Sequence, residues 1–569
     1  MMKHKVLQLS FTFSALFVLS VLSAPSALAG TAAVKTPITV QSACTSDEKW
    51  MPEDPKTAYI QNRLELSRKG GKEAIQSMFR SLVARDALKP KDLHGKMIVS
   101  YWLARALYDA KEVHKAHQAF LDLLKEPEAL DKFSDALAVH AASMECLTKI
   151  HHDYPTLNMD EGSLAAVKRL APQPRLSSAQ RAFFYEGLSW ELKKRFRAGE
   201  APFTDAEAQS YNEAFKGSGY FQKLVSVLRA TQTPNEADII SNEAIFNEAD
   251  YKTRPQNERD LLHSLFGRAY YDQAQWDKAV AHFKEIPHDS NQVVHAFSDS
   301  SWAYLQQQRY PETIGMSTNL VLGALSKTYD PAAYETLTMA LFETCNYNEA
   351  LQTYQHFRKI YGKSYFFLRD MQKAGTGFYP KLAAYLLGKA KGKVPDRVGT
   401  EWSSDPIFLA DQSEINLGLD EGAATAKIRT SANQWINFAR SKSWKSFDAE
   451  LEKVSQENTA RQPGLIAEID RAIFRHTEAM FAALNQTAQS LQLLEAEAYE
   501  QIGDKYLAEN GPAQNGKSRQ PRTLKPKQGD GAVWDWGRYP AGGDGDEDTV
   551  ETWEDELGYL RAKIKDSCK

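Results

Sequence analysis

Leu265-Phe266-Gly267-Arg268-Ala269-Tyr270-Tyr271-Asp272, a short break, then Gln275-Trp276-Asp277-Lys278-Ala279-Val280-Ala281-His282-Phe283 is the stretch that decides the fold. A large residue and a small one open it, and an aromatic follows one helical turn later. After the break an alanine starts a second helix, with an aromatic four residues on. The order returns 34 residues later as Phe297, Ser301, Tyr304 and Tyr310-Pro311-Glu312-Thr313-Ile314. It returns again after 37 as Tyr334, Leu337, Leu341, Tyr347-Asn348-Glu349-Ala350-Leu351, Tyr354 and Phe357. An earlier copy stands at Tyr101, Leu103-Ala104, Leu107, Ala116 and Phe120. Two helices of about 12–15 residues with a short turn between them fill such a period. Small residues (Gly267, Ser301, Ala279, Ala350) let the helices approach, and aromatics (Tyr270, Phe283, Tyr304, Tyr354) fill the holes. One pair cannot bury its apolar face alone, so copies must stack.

This pattern resembles the tetratricopeptide repeat and predicts an all-α chain, a helical-hairpin superhelix over 54–361. By analogy with that family, the first helix of each pair lines a groove that binds polypeptides. The resemblance places Tyr101, Arg105 and Tyr108, then Arg268 and Tyr271, then Trp302, then Phe342 on that wall. Aromatics and arginine are the side chains that anchor protein ligands.

Outside the repeats the chain changes character several times. Two lysines precede an apolar run from Val6 to Leu22, and Ser26-Ala27-Leu28-Ala29 follows, which is the layout of a secretory leader over 1–29 cut after Ala29. An N-terminal extension covers 30–53. Beyond the array, 362–430 reads as an irregular and helical connector, and 431–510 as a C-terminal helical region whose long helix opens at Pro463-Gly464. The Gly/Pro/Gln-rich 511–532 reads as a flexible linker. The segment 533–569 reads as an acidic, tryptophan-rich tail that docks through Trp534, Trp536, Trp553 and Tyr559, on its own chain or on a partner. Asp544, Asp546 and Asp548 follow the start of a calcium-loop spacing, but Thr549 replaces the required glycine and Asp555 the closing glutamate.

An even number of cysteines in an exported chain permits pairing. Cys44, Cys146, Cys345 and Cys568 are candidates, with Cys44–Cys146 and Cys345–Cys568 the preferred connectivity. No Cys/His spacing suits zinc. His114 and His117, and His151-His152, come nearest to metal ligands but lack an acidic or cysteine partner at matching spacing. No His-Glu-x-x-His, Gly-x-Ser-x-Gly, phosphate loop or dinucleotide fingerprint is present. A lytic transglycosylase, another exported helical superhelix, would need a Glu-Ser-Gly segment that the chain lacks. The formal charge of −4 over 569 residues disfavours nucleic acid as a partner.

The expectation is a non-catalytic scaffold of the bacterial cell envelope, periplasmic or extracellular. It would use no cofactor or metal and bind other envelope proteins or its own tail, within a motility, pilus or secretion assembly. The alternative is a periplasmic protein that binds or processes peptidoglycan or another glycan.

Overall fold

The computed structural model describes residues 72–89, 91–125, 136–197, 204–232, 235–389, 393–434, 439–510 and 568. Among them are nineteen α-helices, two short 3-10 segments and no strand, so the chain is all-α. In order they are α1 (Lys72–Ala87), α2 (Leu93–Asp109), α3 (Val113–Leu124), α4 (Ala136–Asp153), α5 (Glu161–Leu170) and α6 (Ser178–Arg197). Then come α7 (Asp205–Ala214), α8 (Gly219–Gln232), α9 (Glu236–Ser241), α10 (Gln256–Asp272), α11 (Trp276–Lys284), α12 (Val293–Gln306) and α13 (Tyr310–Val321). The last are α14 (Ala332–Glu343), α15 (Tyr347–Ala374), α16 (Phe378–Leu386), α17 (Asp396–Ser403), α18 (Pro406–Asn433) and α19 (Lys442–Asn510).

The quoted stretch is the hairpin α10–α11. The next two copies are α12–α13 and α14–α15, and the early copy is α2–α3. The four turns share one backbone solution. A single residue takes the left-handed conformation in each: Lys111, Ala274, Gln308 and Cys345, with φ of 71°, 54°, 58° and 56°. The N–H of the next residue reaches back to the carbonyl five residues earlier. The bonds are Glu112 to Leu107, Gln275 to Tyr270, Arg309 to Tyr304 and Asn346 to Leu341, at 2.8–2.9 Å. This closes the last turn of the first helix, as left-handed helix caps do. The last three turn residues are 34 and 37 positions apart, the same steps as the sequence periods.

Counting from these turns explains the residue choices. Ala104, Gly267, Ser301 and Thr338 stand seven places before the turn residue, and all are buried. A Cβ on Gly267 would lie 2.4 Å from the Phe283 ring, so glycine lets α11 seat its aromatic directly on the α10 backbone. Five places after the turn are Ala116, Ala279, Thr313 and Ala350, and nine places after are Phe120, Phe283, Ser317 and Tyr354. All eight are buried. Where α13 has Ser317 in place of an aromatic, its hydroxyl meets Thr336 of α14 at 2.7 Å, and Thr336 in turn meets Ser301 at 3.2 Å.

The chain divides into two compact units, each drawn from non-contiguous segments. The first comprises Met1–Asp238, Ala244–Lys252 and Pro406–Ile469. Here α1 to α4 pack in succession and α4 packs on α6. The segment 442–469 of α19 joins them through Trp444, whose ring meets Phe79 of α1 edge-on at 5.5 Å. The second comprises Ile239–Glu243, Thr253–Asp405 and Asp470–Lys569. In it α10 to α15 pack in succession, followed by α16, α17 and the later part of α19.

One expectation about the C-terminal half is corrected. The helix expected to open at Pro463 begins at Lys442 and runs through that proline to Asn510. An interior proline costs about 3 kcal/mol, and burial of Leu451, Leu465, Ile469 and Ile473 on either side offsets it. The connector 362–430 is helical over most of its described length. α15 continues past Gly362 and stops at Gly375, which takes φ 68°. α16 then starts where the Asp470 carboxylate accepts from the N–H groups of Gly377 (3.1 Å) and Tyr379 (2.6 Å). Cys345 is disulfide-bonded to Cys568, with Cα atoms 5.1 Å apart. Cys146 is also disulfide-bonded and is buried; Cys44, its expected partner, lies outside the described residues. So do residues 1–71, which hold the expected leader and extension, and 511–567 with Trp534, Trp536, Trp553 and Tyr559. No described helix is long and apolar enough to cross a membrane.

Candidate functional site

The first helices of the hairpins carry the side chains expected to meet a partner. In the first unit, Arg105 pairs with Asp109 at 3.4 Å along α2 and is mostly buried. Tyr108 is half-buried, and its hydroxyl is held well above the usual range by burial first and then by Asp153, Tyr154 and Asp109. Tyr101 is the exception. It is 1% exposed, packed against the Trp102 and Phe120 rings at 5.1 and 6.0 Å, and offers nothing to a ligand. The equivalent positions Ser264 and Glu335 in later hairpins are buried too, whereas Ser298 on α12 is half-buried.

In the second unit, Arg268 of α10 donates from Nε to Asp299 of α12 at 2.6 Å, and both side chains keep about a quarter to a third of their surface exposed. Tyr271 packs partly buried against Ala279, Val280 and Tyr304 and their neighbours. Burial, then the nearby Asp299 and Asp272, push its hydroxyl up to about 12. Trp302 is half-buried on α12. Phe342 is half-buried on α14, with its ring 5.2 Å from Tyr347. The structure therefore places Arg268, Tyr271, Trp302 and Phe342 on the first helices of three consecutive equivalent hairpins, partly open to solvent.

Each unit also draws the chain's own C-terminal helices against its hairpins. In the second unit, Tyr329 donates its hydroxyl to the Met480 carbonyl at 2.8 Å, and Tyr365 meets Phe481 at 5.3 Å. His476 of α19 is fastened there between two acids, with Nδ1 3.1 Å from Asp405 and Nε2 3.4 Å from Glu401. Burial opposes the charged ring, but the hydrogen bonds and charges of Asp405 and Glu401 prevail and raise its pKa to about 9.

A similar fastening occurs in the first unit at the α2–α3 turn. His114 Nδ1 lies 2.7 Å from Glu421 of α18, and Nε2 lies 3.9 Å from Glu414. Burial again opposes the charge, and the two carboxylates overcome it, raising the His114 pKa to about 9. Arg461 of α19 meets Glu414 at 2.6 Å. Next to it, Thr425 donates to Glu112 at 2.6 Å, and burial, the largest influence, raises the Glu112 carboxyl to about 7. Sequence reasoning missed both fastenings because the acids stand about 300 positions from His114, and Asp405 stands 71 from His476 with Glu401 further still. The one local hint was Glu414 and Glu421, seven residues apart on one helical face.

A ring held protonated to about pH 9 has no lone pair to accept a proton at neutral pH, so His114 and His476 act as fasteners there and not as general bases. His117 and His151 do the reverse. Their Nε2 atoms meet at 3.0 Å in a buried neutral pair, and burial drives His117 down to about 3 and His151 well below its ordinary value. Among the described residues no group of three or more His, Cys, Asp or Glu side chains is arranged to hold a metal ion. Compared with known proteins, the chain matches no family model, no curated protein and no solved structure.

Proposed function

We propose that this protein is a non-catalytic scaffold that binds partner polypeptides in the envelope of a bacterium with two membranes, within a motility, pilus or secretion assembly. The observation that carries the reading is the row Arg268, Tyr271, Trp302 and Phe342. Arginine and large aromatics, half-exposed on equivalent helices, are suited to anchoring another chain. The leader-like N-terminus and the Cys345–Cys568 bridge support an exported, oxidising setting.

The test is photo-crosslinking in intact cells with a photoreactive residue at Trp302. Discrete polypeptide adducts that weaken in Arg268→Ala are expected. No adduct, or bond cleavage in peptidoglycan by the purified protein, overturns the reading. Sugar affinity without turnover, lost in Tyr271→Ala or Trp302→Ala, would assign glycan binding instead.

A further inference from the structure

One end of a helix in the second unit sets exposed apolar side chains among cations. α16 is seated by its first turns: Phe378 and Leu382 are buried, and Phe378 meets the Trp402 and Phe474 rings at 5.7 and 5.8 Å. Leu386 stands four residues after Leu382 on the same helical face, yet it is 47% exposed, and Leu387 beside it is 67% exposed. The helix has run past the core. Its end is nonetheless held firmly. Gly388 takes φ 67°, its N–H bonds the Tyr385 carbonyl, and the Lys389 N–H bonds the Ala384 carbonyl, both at 2.9 Å. In such paired caps the residue after the glycine often covers an apolar neighbour on the last turn. Here that residue is Lys389, and both leucines are left to solvent. A Cβ built on Gly388 meets nothing within 4 Å, so the tip stands clear of the described elements.

The charge around this tip is one-sided. Between Asp370 and Asp396 the sequence holds five lysines (Lys373, Lys381, Lys389, Lys391 and Lys393) and no acid, in a chain whose formal charge is −4. Lys381, Lys389 and Lys393 are exposed on α16 and in the connection to α17. A lysine beside a helix C-terminus offsets the helix dipole, which accounts for Lys389 but not for two leucines in water.

We propose that the end of α16 is a membrane-contact tip: Leu386 and Leu387 enter the headgroup region of an anionic bilayer while Lys381, Lys389 and Lys393 face its phosphates. Two leucines offer far less than the roughly 800 Å² per partner that a stable protein interface buries. A bilayer needs no such area, because a shallow apolar insertion and a cluster of cations reinforce each other where either alone is marginal. The anionic headgroup is the complement of an acid-free, lysine-rich segment. The inference does not rest on the partner-binding reading. It adds a second surface, on a different helix from the row Arg268, Tyr271, Trp302 and Phe342, and gives it a lipid partner.

The test uses the full chain and vesicles of phosphatidylcholine, alone or mixed in equal parts with phosphatidylglycerol. The chain should float with the mixed vesicles and not with phosphatidylcholine alone, and added salt should weaken the binding. Lys389→Gln/Lys393→Gln and Leu386→Asn/Leu387→Asn should each weaken it by about tenfold or more. All four side chains are exposed, and circular dichroism checks that each variant keeps its helix. A second readout leaves the lysines in place: an environment-sensitive fluorophore on Leu387→Cys should shift its emission to the blue with the mixed vesicles and not with phosphatidylcholine alone. Absence of flotation, equal flotation with phosphatidylcholine alone, binding unmoved by the leucine pair, or a fluorophore that stays in water overturns the inference. So does a photoreactive residue in place of Leu387 that yields polypeptide adducts and no lipid adducts in intact cells, which would make the tip a protein-docking site instead.

Discussion

Lys111, Ala274, Gln308 and Cys345 hold a backbone conformation that costs an ordinary residue roughly 1–2 kcal/mol and glycine almost nothing. Ala274→Gly and Gln308→Gly should therefore raise stability by about 0.5–1 kcal/mol, after allowing for glycine's freer unfolded chain. Equilibrium denaturation would read this as a higher midpoint with an unchanged slope. The titratable residues give a second expectation. His114 and His476 have folded pKa values raised from 6.5 to about 9, so their contribution is fully present below pH 6.5 and is lost as pH rises through about 9. Glu112, raised from 4.5 to about 7, works in the same direction at lower pH, its contribution fading between those values. His117 is lowered from 6.5 to about 3, so its contribution is lost as pH falls through that window. Stability measured against pH should therefore be highest at mildly acidic pH, below about 6.5, and fall on either side. His476→Gln should make the alkaline limb shallower by roughly 3 kcal/mol, leaving the part due to His114, while His117→Gln should make the acid limb shallower.

At the scale of the helix, glycines separate packing from propensity. Gly267 faces Phe283, so Gly267→Ala should destabilise by about 1–3 kcal/mol through overpacking. Gly422, in α18, has nothing within 4 Å of a built Cβ, so Gly422→Ala should stabilise by about 0.5–1 kcal/mol. Thermal melts of the two variants should move in opposite directions. The same contrast shows what was legible in sequence. Gly267 with Phe283, and Ser301 with Tyr304, announce a close helix pair because small and large residues recur at fixed offsets. The left-handed turn residues were silent, since none is glycine. Pro463 was misleading, because a local breaker was outweighed by burial of Leu465, Ile469 and Ile473, which depends on tertiary neighbours. Tyr101 was misplaced for a related reason. A tyrosine suits a groove or a core, and only its packing on Phe120 decides between them.

For the whole molecule, the assignment of segments to units was the least legible feature. Nothing near His114 points to Glu414 or Glu421, and nothing near Asp405 points to His476. The hairpin array and the C-terminal region were therefore expected as separate blocks, whereas each unit draws on both. The Cys345–Cys568 bridge closes a span of 223 positions. Its removal in Cys568→Ser should destabilise the second unit by about 2–4 kcal/mol through loop entropy. A calorimetric scan with and without reductant tests this: the wild type should lose that increment on reduction, while Cys568→Ser should not respond to it through this bridge.

The four turns have one further practical meaning. Their shape is set by main-chain bonding and accepts lysine, alanine, glutamine or cysteine alike, so the identity of the left-handed residue is free for other uses. At position 345 that freedom supplies a covalent anchorage. At 111, 274 and 308 the same latitude marks attachment points for spectroscopic labels, where a thiol could be introduced and conjugated while the flanking helices keep their caps.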